Sequence, residues 1–219
     1  MTTTHAHTAA PGHPGAVVGT GGLWKNGAAF PAATRTCLPM TDPTPNPDFK
    51  RRVIVMGVSG SGKSSIGKGI GQRLGVPYID GDTYHPQANV EKMERGEPLD
   101  DDDRAGWLDA LTGLIRDYRD DELGVLIGCS ALKRRYRDQL RSGDPHLMFL
   151  FLDGSYDIIL GRMQQREHFF SPKMLQSQFD TLERPGSDEA VRVDIDADFN
   201  EVIAAGTNAL QRADSGADA

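Results

Sequence analysis

Val53-Ile54-Val55-Met56-Gly57-Val58-Ser59-Gly60-Ser61-Gly62-Lys63-Ser64-Ser65-Ile66 is the stretch that decides the fold. Its first four residues form a continuous apolar run, the pattern of a strand buried on both faces. Gly57 ends the run, and an amphipathic stretch from Lys63 to Leu74 follows. Between the two, Gly57 to Ser64 matches G-x-x-x-x-G-K-[ST], and it sits where the mechanism of that motif requires, after a strand and at the start of a helix. The glycines let backbone N–H groups converge on phosphate oxygens, and the helix N-terminus adds partial positive charge. Lys63 supplies a point charge for the β- and γ-phosphates, and the Ser64 hydroxyl is a ligand for Mg²⁺. A bare Gly/Ser turn would not require Lys-Ser at those two positions. The stretch therefore predicts nucleoside triphosphate binding by Gly57, Val58, Ser59, Gly60, Ser61, Gly62, Lys63, Ser64 and Ser65.

Outward from this loop, strand-like runs recur at Val76–Ile79, Val125–Cys129, Leu147–Leu152 and Val191–Ile195. Helical patterns lie between them. Trp107, Leu108, Leu111, Leu114, Ile115 and Tyr118 share one face, and Met174, Leu175, Gln178, Phe179 and Leu182 recur at three- and four-residue spacing. Parallel neighbours need crossover connections, so strands alternating with helices predict a parallel sheet covered on both faces. The expected class is α/β in three layers.

The chain has 219 residues, which at ~150 residues per domain suggests one domain plus a tail. Its longest strand-like run, Leu147 to Leu152, has six residues, against the ~18–20 needed to span a bilayer. A net charge of −7 argues against nonspecific nucleic-acid or anionic-membrane partners, which need a cationic surface. Two cysteines give no disulfide framework and fit a reducing cytoplasm. Residues 1–50 stand apart, with seven of the thirteen prolines, no lasting periodicity and no acidic residue before Asp42. They read as a disordered extension before a domain over 51–212, with 213–219 as a second tail. A sharper reading starts the protein at Met40 and treats residues 1–39 as an extension of the gene model.

The second strand ends in Ile79-Asp80-Gly81-Asp82, with Tyr84-His85 close behind. Carboxylates at i and i+2 on a strand point the same way, here toward the crevice where open α/β sheets bind ligands. Asp80 suits a metal-bound water, and Asp82 suits a substrate hydroxyl proton. The bland alternative is a turn, since Asp-Gly-Asp is good turn chemistry. Asn-Lys-x-Asp and Leu-Ser-Gly-Gly-Gln do not occur, which turns the reading away from GTPases and transporters.

With these residues in hand, the sequence resembles the gluconokinases. The matching blocks are Met56-Gly-Val-Ser-Gly-Ser-Gly-Lys-Ser64, Asp80-Gly-Asp82 with His85-Pro86, and Asn89 with Glu91-Lys92-Met93. Gly96-Glu-Pro-Leu-Asp-Asp-Asp-Asp-Arg104 with Trp107-Leu108, and Cys129-Ser-Ala-Leu-Lys133 with Tyr136-Arg137-Asp138, continue the match. His168-Phe-Phe170, Met174-Leu175, Gln178-Phe179, Leu182-Glu183 and Val193-Asp194-Ile195-Asp196 complete it, in order, from about Arg52 to about Leu210. The resemblance implies ATP-dependent phosphorylation of D-gluconate to 6-phosphogluconate. It also implies a five-stranded parallel sheet with a lid, related to shikimate and adenylate kinases, and a homodimer. From it Arg162 is expected on the adenine, and Arg166 at the phosphates.

Gluconate is a polyol with one carboxylate, so its site needs a cation and several polar groups. Arg104 follows the run Asp100–Asp103, whose aspartates read as a helix cap. Arg104 itself is expected to meet substrate as a fork-shaped partner, the alternative being a salt bridge to a neighbouring aspartate. Ser130 is expected at a sugar hydroxyl. Lys133 and Arg137, one helical turn apart, offer cations on one face, and His85 joins the same pocket. Cys129 reads as a buried strand-end thiol, because phosphoryl transfer to a hydroxyl needs no such nucleophile. Gln178 interrupts an apolar face, and a core-edge residue and a ligand are equally open readings. Rival functions are a kinase of another hydroxy-acid such as shikimate, and a nucleotide-binding regulator without transfer activity.

Overall fold

Strand β1 (Arg52–Met56) is buried along its whole length, and its side chains alternate between two cores. Val53 and Val55 enter one core with Ile70, Leu150 and Val202, while Ile54 and Met56 enter the other with Leu108, Leu111 and Ile127. A strand apolar on both faces is stable only when both are covered, and the remaining elements supply that cover.

The computed structural model describes residues 48–164 and 172–215. After β1 come α1 (Lys63–Leu74), β2 (Tyr78–Asp80), a 3₁₀ turn (Gly81–Tyr84), α2 (Gln87–Glu94), α3 (Asp101–Asp120), β3 (Val125–Gly128) and α4 (Arg134–Arg141). Then follow β4 (Met148–Asp153), α5 (Tyr156–Gln164), α6 (Pro172–Thr181), β5 (Val191–Asp194) and α7 (Phe199–Ser215). The five strands are parallel in the order β2-β3-β1-β4-β5. Helices α1 and α7 pack together on one face, and α3 and α4 on the other. The expected three-layer α/β architecture with five parallel strands is what the structure has.

The chain passes to one side of β1 for β2 and β3, and to the other for β4 and β5. A crevice therefore opens at the carboxyl end of β1, the place where such sheets bind ligands. Residues at the carboxyl ends of β1, β2 and β3 meet there: Val55 of β1 and Asp80 of β2 both pair with Gly128 of β3.

Several boundaries differ from the sequence reading. Strand β2 begins at Tyr78 rather than Val76, because the Val76 N–H donates to Gly71 O at 3.0 Å in the turn that closes α1. Asp82 lies on the 3₁₀ turn and not on the strand. The folded unit begins before residue 51 and ends after 212. Phe49 is 4% exposed in the first core, and Arg51 Nε donates to Asp214 Oδ1 at 2.5 Å near the end of α7. Residues 1–47, with Met40 among them, lie outside the described residues, as do 165–171, with Arg166, His168, Phe169 and Phe170, and 216–219. Among the described residues no helix is long and apolar enough to cross a membrane.

Candidate active site

The loop between β1 and α1 is shaped by glycine. Gly57 and Gly62 have φ values of 142° and 96°, where L side chains are strained. A Cβ on Gly57 would also lie 2.8 Å from Leu152 O and 2.9 Å from Ser61 Oγ. The first i→i−4 bond of α1 runs from Ile66 N to Gly62 O at 2.8 Å, so the amides of Lys63, Ser64 and Ser65 open the helix ahead of that ladder. Lys63 Nζ donates to Gly57 O and Val58 O at 3.0 and 3.1 Å, which folds the side chain back over its own loop. Burial lowers the Lys63 pKa, and Asp82, Cys129 and Asp80 oppose that shift by charge. Val58 and Ser61 are buried, and the Ser61 hydroxyl has no partner among the described residues.

Facing this loop, Ser64 Oγ donates to Asp80 Oδ2 at 3.2 Å. The other Asp80 oxygen accepts from the Asp82 N–H at 3.2 Å and caps the 3₁₀ turn. Turn chemistry and site chemistry thus reside in the same residues. Asp82 is open to solvent along its side, yet it sits in a crevice whose walls displace much of the water around it. That desolvation raises its pKa, Lys63 lowers it, and Asp80 raises it further. Ser64 and Asp80 offer hard oxygens close together, which fits a hard divalent cation. Among the described residues no group of three or more His, Cys, Asp or Glu is placed to hold a metal unaided. A nucleotide-bound cation needs none, since phosphates and waters fill most of its shell.

The 3₁₀ turn is fixed from below by α3. Trp107 Nε1 donates to Gly81 O at 2.7 Å, and the His85 ring stacks on Trp107 with centroids 4.2 Å apart. Buried Asn89 lies 3.4 Å from His85 Nδ1 and donates to Asp103 O at 2.7 Å. Burial, and then the charge of Arg104, lower the His85 pKa to about 4, so its imidazole is neutral at pH 7. Helix α3 starts as expected, with a capping box between Asp100 and Asp103.

Arg104 Nη1 donates to Leu99 O at 2.5 Å and Asp100 O at 3.2 Å, and its guanidinium lies 5.9 Å from the Tyr136 ring centroid. Its partners are carbonyls rather than the neighbouring aspartate side chain weighed from the sequence. Ser130 follows β3 at the crevice edge, where its carbonyl accepts from the Gly57 N–H at 3.4 Å. Lys133 is the residue before α4 and pairs with Asp101 at 2.9 Å. Asp101 also takes Arg135 and the Tyr136 hydroxyl, a convergence the sequence reading missed because it treated Asp100–Asp103 as a cap alone.

Arg137 corrects the sequence reading. It is 1% exposed, and its guanidinium meets Glu189 twice, at 2.7 and 3.1 Å, and the carbonyls of Ala131 and Leu132. It braces the turn after β3 instead of sharing an open face with Lys133. Cys129 is buried as expected, and desolvation pushes its thiol up to about 12, so it stays protonated.

A cavity of about 500 Å³ adjoins the loop, lined by Gly60, Gly62, Ser65, Ile66, Arg162, Phe199 and Val202. Arg162 Nη2 donates to Ile195 O, which holds α5 against the segment after β5. The half-exposed Phe199 ring stands at this cavity.

A loop of this form on a parallel sheet, with Asp80 and Asp82 within electrostatic reach of its lysine, fits a P-loop kinase of small molecules. The family model described as Shikimate kinase matches residues 59–209. The thermoresistant gluconokinase of Escherichia coli K12 is 44% identical over 162 residues, covering 73% of this chain and 93% of that relative. The thermosensitive gluconokinase of the same organism is 49% identical over 153 residues, covering 68% and 81%. A crystal structure of a gluconokinase from Sinorhizobium meliloti 1021 superposes with a TM-score of 0.72 at 42% identity, covering 77% of this chain and 95% of that one. The chain belongs to the gluconokinase family of shikimate kinase-like P-loop kinases. Membership in a kinase family brings with it ATP and a divalent metal.

Proposed function

We propose that this protein phosphorylates D-gluconate with ATP, giving 6-phospho-D-gluconate and ADP. The choice of acceptor rests on the identity to gluconokinases over most of their length. The roles of the residues rest on one observation, the placement of Lys63, Asp80 and Asp82 within electrostatic reach of one another at the sheet edge. The 6-hydroxyl oxygen attacks the γ-phosphorus in line, and the bond from that phosphorus to the β,γ-bridging oxygen breaks. Asp82 orients the hydroxyl and takes its proton, a task suited to a carboxylate whose pKa is raised. Lys63 leaves its loop carbonyls for the phosphates and stabilises charge on the equatorial oxygens. Arg166 joins it there.

Ser64 and Asp80 would hold the divalent cation, read as Mg²⁺, directly and through water. Bound there, it neutralises phosphate charge. The cavity beside Ser65, Arg162 and Phe199 receives the nucleobase. His85, Arg104, Ser130 and Lys133 line the gluconate site, with Arg104 opposite the carboxylate. A cytoplasmic homodimer completes the reading, with no nucleic-acid or membrane partner.

The test is ADP formation with MgATP and either gluconate, shikimate or no acceptor. Gluconate-dependent turnover supports the reading. Turnover with shikimate alone replaces the substrate, and equal turnover without any acceptor removes the transferase.

A further inference from the structure

Gln178 lies on α6, next to Phe179 and one turn beyond the buried Leu175. A polar amide on such a face is costly to bury without partners. Its partners are both on Ser59, in the phosphate loop 119 residues away: Oε1 accepts from the Ser59 N–H at 2.7 Å, and Nε2 donates to Ser59 Oγ at 3.2 Å. Both faces of the amide are thus used on one residue, which fixes its direction as well as its distance. Ser59 sits between Gly57 and Gly60, whose φ values of 142° and 83° let the loop reverse. Glycine supplies that freedom without choosing among the conformers it permits. Helix α6 is itself fixed, through Leu175 in the core and the edge-on contact of Phe179 with Tyr156 of α5 at 5.5 Å.

We infer that Gln178 is a positioning residue, which holds the phosphate loop in its anion-binding shape by locking Ser59 to α6. The inference rests on the nucleotide site proposed above and adds a residue outside the loop to it. A pre-formed cradle binds phosphate without the entropy loss of ordering it. Loss of the two bonds therefore weakens nucleotide binding, while the sugar-acid side of the crevice is untouched.

The test is calorimetric titration of unmodified protein, Gln178→Leu, Ser59→Ala and the double variant with MgADP, alongside thermal melting without nucleotide and KM for gluconate. Gln178→Leu is expected to raise the Kd for ADP about tenfold, with KM for gluconate within about twofold. Ser59→Ala alone gives a smaller rise, and it adds nothing in the Gln178→Leu background, because the bond it removes is already gone. A purely structural role would instead lower the melting temperature and leave the Kd for ADP unchanged, and that result overturns the inference. If Gln178→Leu does not fold, hydrogen exchange at the Ser59 amide of the unmodified protein decides: protection without nucleotide is expected, and exchange at the rate of a free amide overturns the lock. Unmodified protein that binds no ADP removes the nucleotide site itself. Equal affinity of unmodified and Gln178→Leu protein removes only the role of Gln178.

Discussion

The hydroxyl of Ser64, in the first turn of α1, lies 3.2 Å from Asp80 Oδ2 at the end of β2 and donates to it. That bond joins the first turn of α1 to Asp80, which ends β2 and caps the 3₁₀ turn that carries Asp82. Ser64→Ala and Asp80→Asn are each expected to raise the Mg²⁺ concentration for half-maximal rate by about tenfold or more. Titration of Mg²⁺ at fixed ATP checks this, and an unchanged requirement in both variants would detach the pair from the metal.

Arg104 is held by the carbonyls of Leu99 and Asp100, with its guanidinium beside Tyr136. Loss of one charge-assisted bond to a carboxylate is worth about 1.5–3 kcal/mol. Arg104→Gln should therefore raise KM for gluconate more than about tenfold and leave KM for ATP unchanged. Initial rates over a grid of both substrates separate the two.

Arg137 and Glu189 form a buried two-pronged pair. Among the described residues, removing the cation leaves a carboxylate with 9% side-chain exposure facing Arg141. Arg137→Met is expected to lower unfolding stability by about 3 kcal/mol without a selective change in KM for gluconate. Urea denaturation measures the first, and steady-state kinetics the second.

His85 gives a pH signature. Its pKa falls from 6.5 unfolded to about 4 folded, so the unfolded chain binds the extra proton between those values. Stability from this group is complete above about pH 6.5 and is lost as pH falls through the window toward 4. His85→Phe keeps a ring on Trp107 and removes the titration, so its melting temperature should fall less steeply across that interval.

Much of this was legible in the sequence, for physical reasons that differ by element. The bounds of α1 could be read directly, since the loop fixes its start and Gly75, with φ of 67°, ends it. Strands β1, β3 and β4 are legible because burial on both faces leaves an unbroken apolar run, whereas β5 shows as an alternation, with Val193 buried between exposed Arg192 and Asp194. Asp80 and Asp82 stand out in the sequence as a pair, but the side-chain alternation that joins them applies to a strand, and Asp82 sits on the turn capped by Asp80. Arg137 was misplaced because its partner lies 52 residues away, and helical spacing carries no trace of such a contact. Gln178 left a signal, a polar break in an apolar face, but the sequence could not show that Ser59 lay beneath it. Phe199 left none. An aromatic at the start of an amphipathic helix carries no mark in the sequence of the cavity it lines.

The central claim is that Asp82 takes the proton of the accepting hydroxyl, and Asp82→Asn tests it most directly. The variant keeps the size of an exposed side chain on the 3₁₀ turn and removes its charge. Its melting temperature at neutral pH should therefore stay close to that of the unmodified protein. Gluconate-dependent turnover is measured by coupling 6-phosphogluconate to its dehydrogenase, with the Kd for MgADP measured alongside. The account predicts a fall in turnover of about a thousandfold, with the Kd for ADP changed less than about threefold. Turnover within about tenfold of the unmodified protein would contradict it and move the proton to another acceptor.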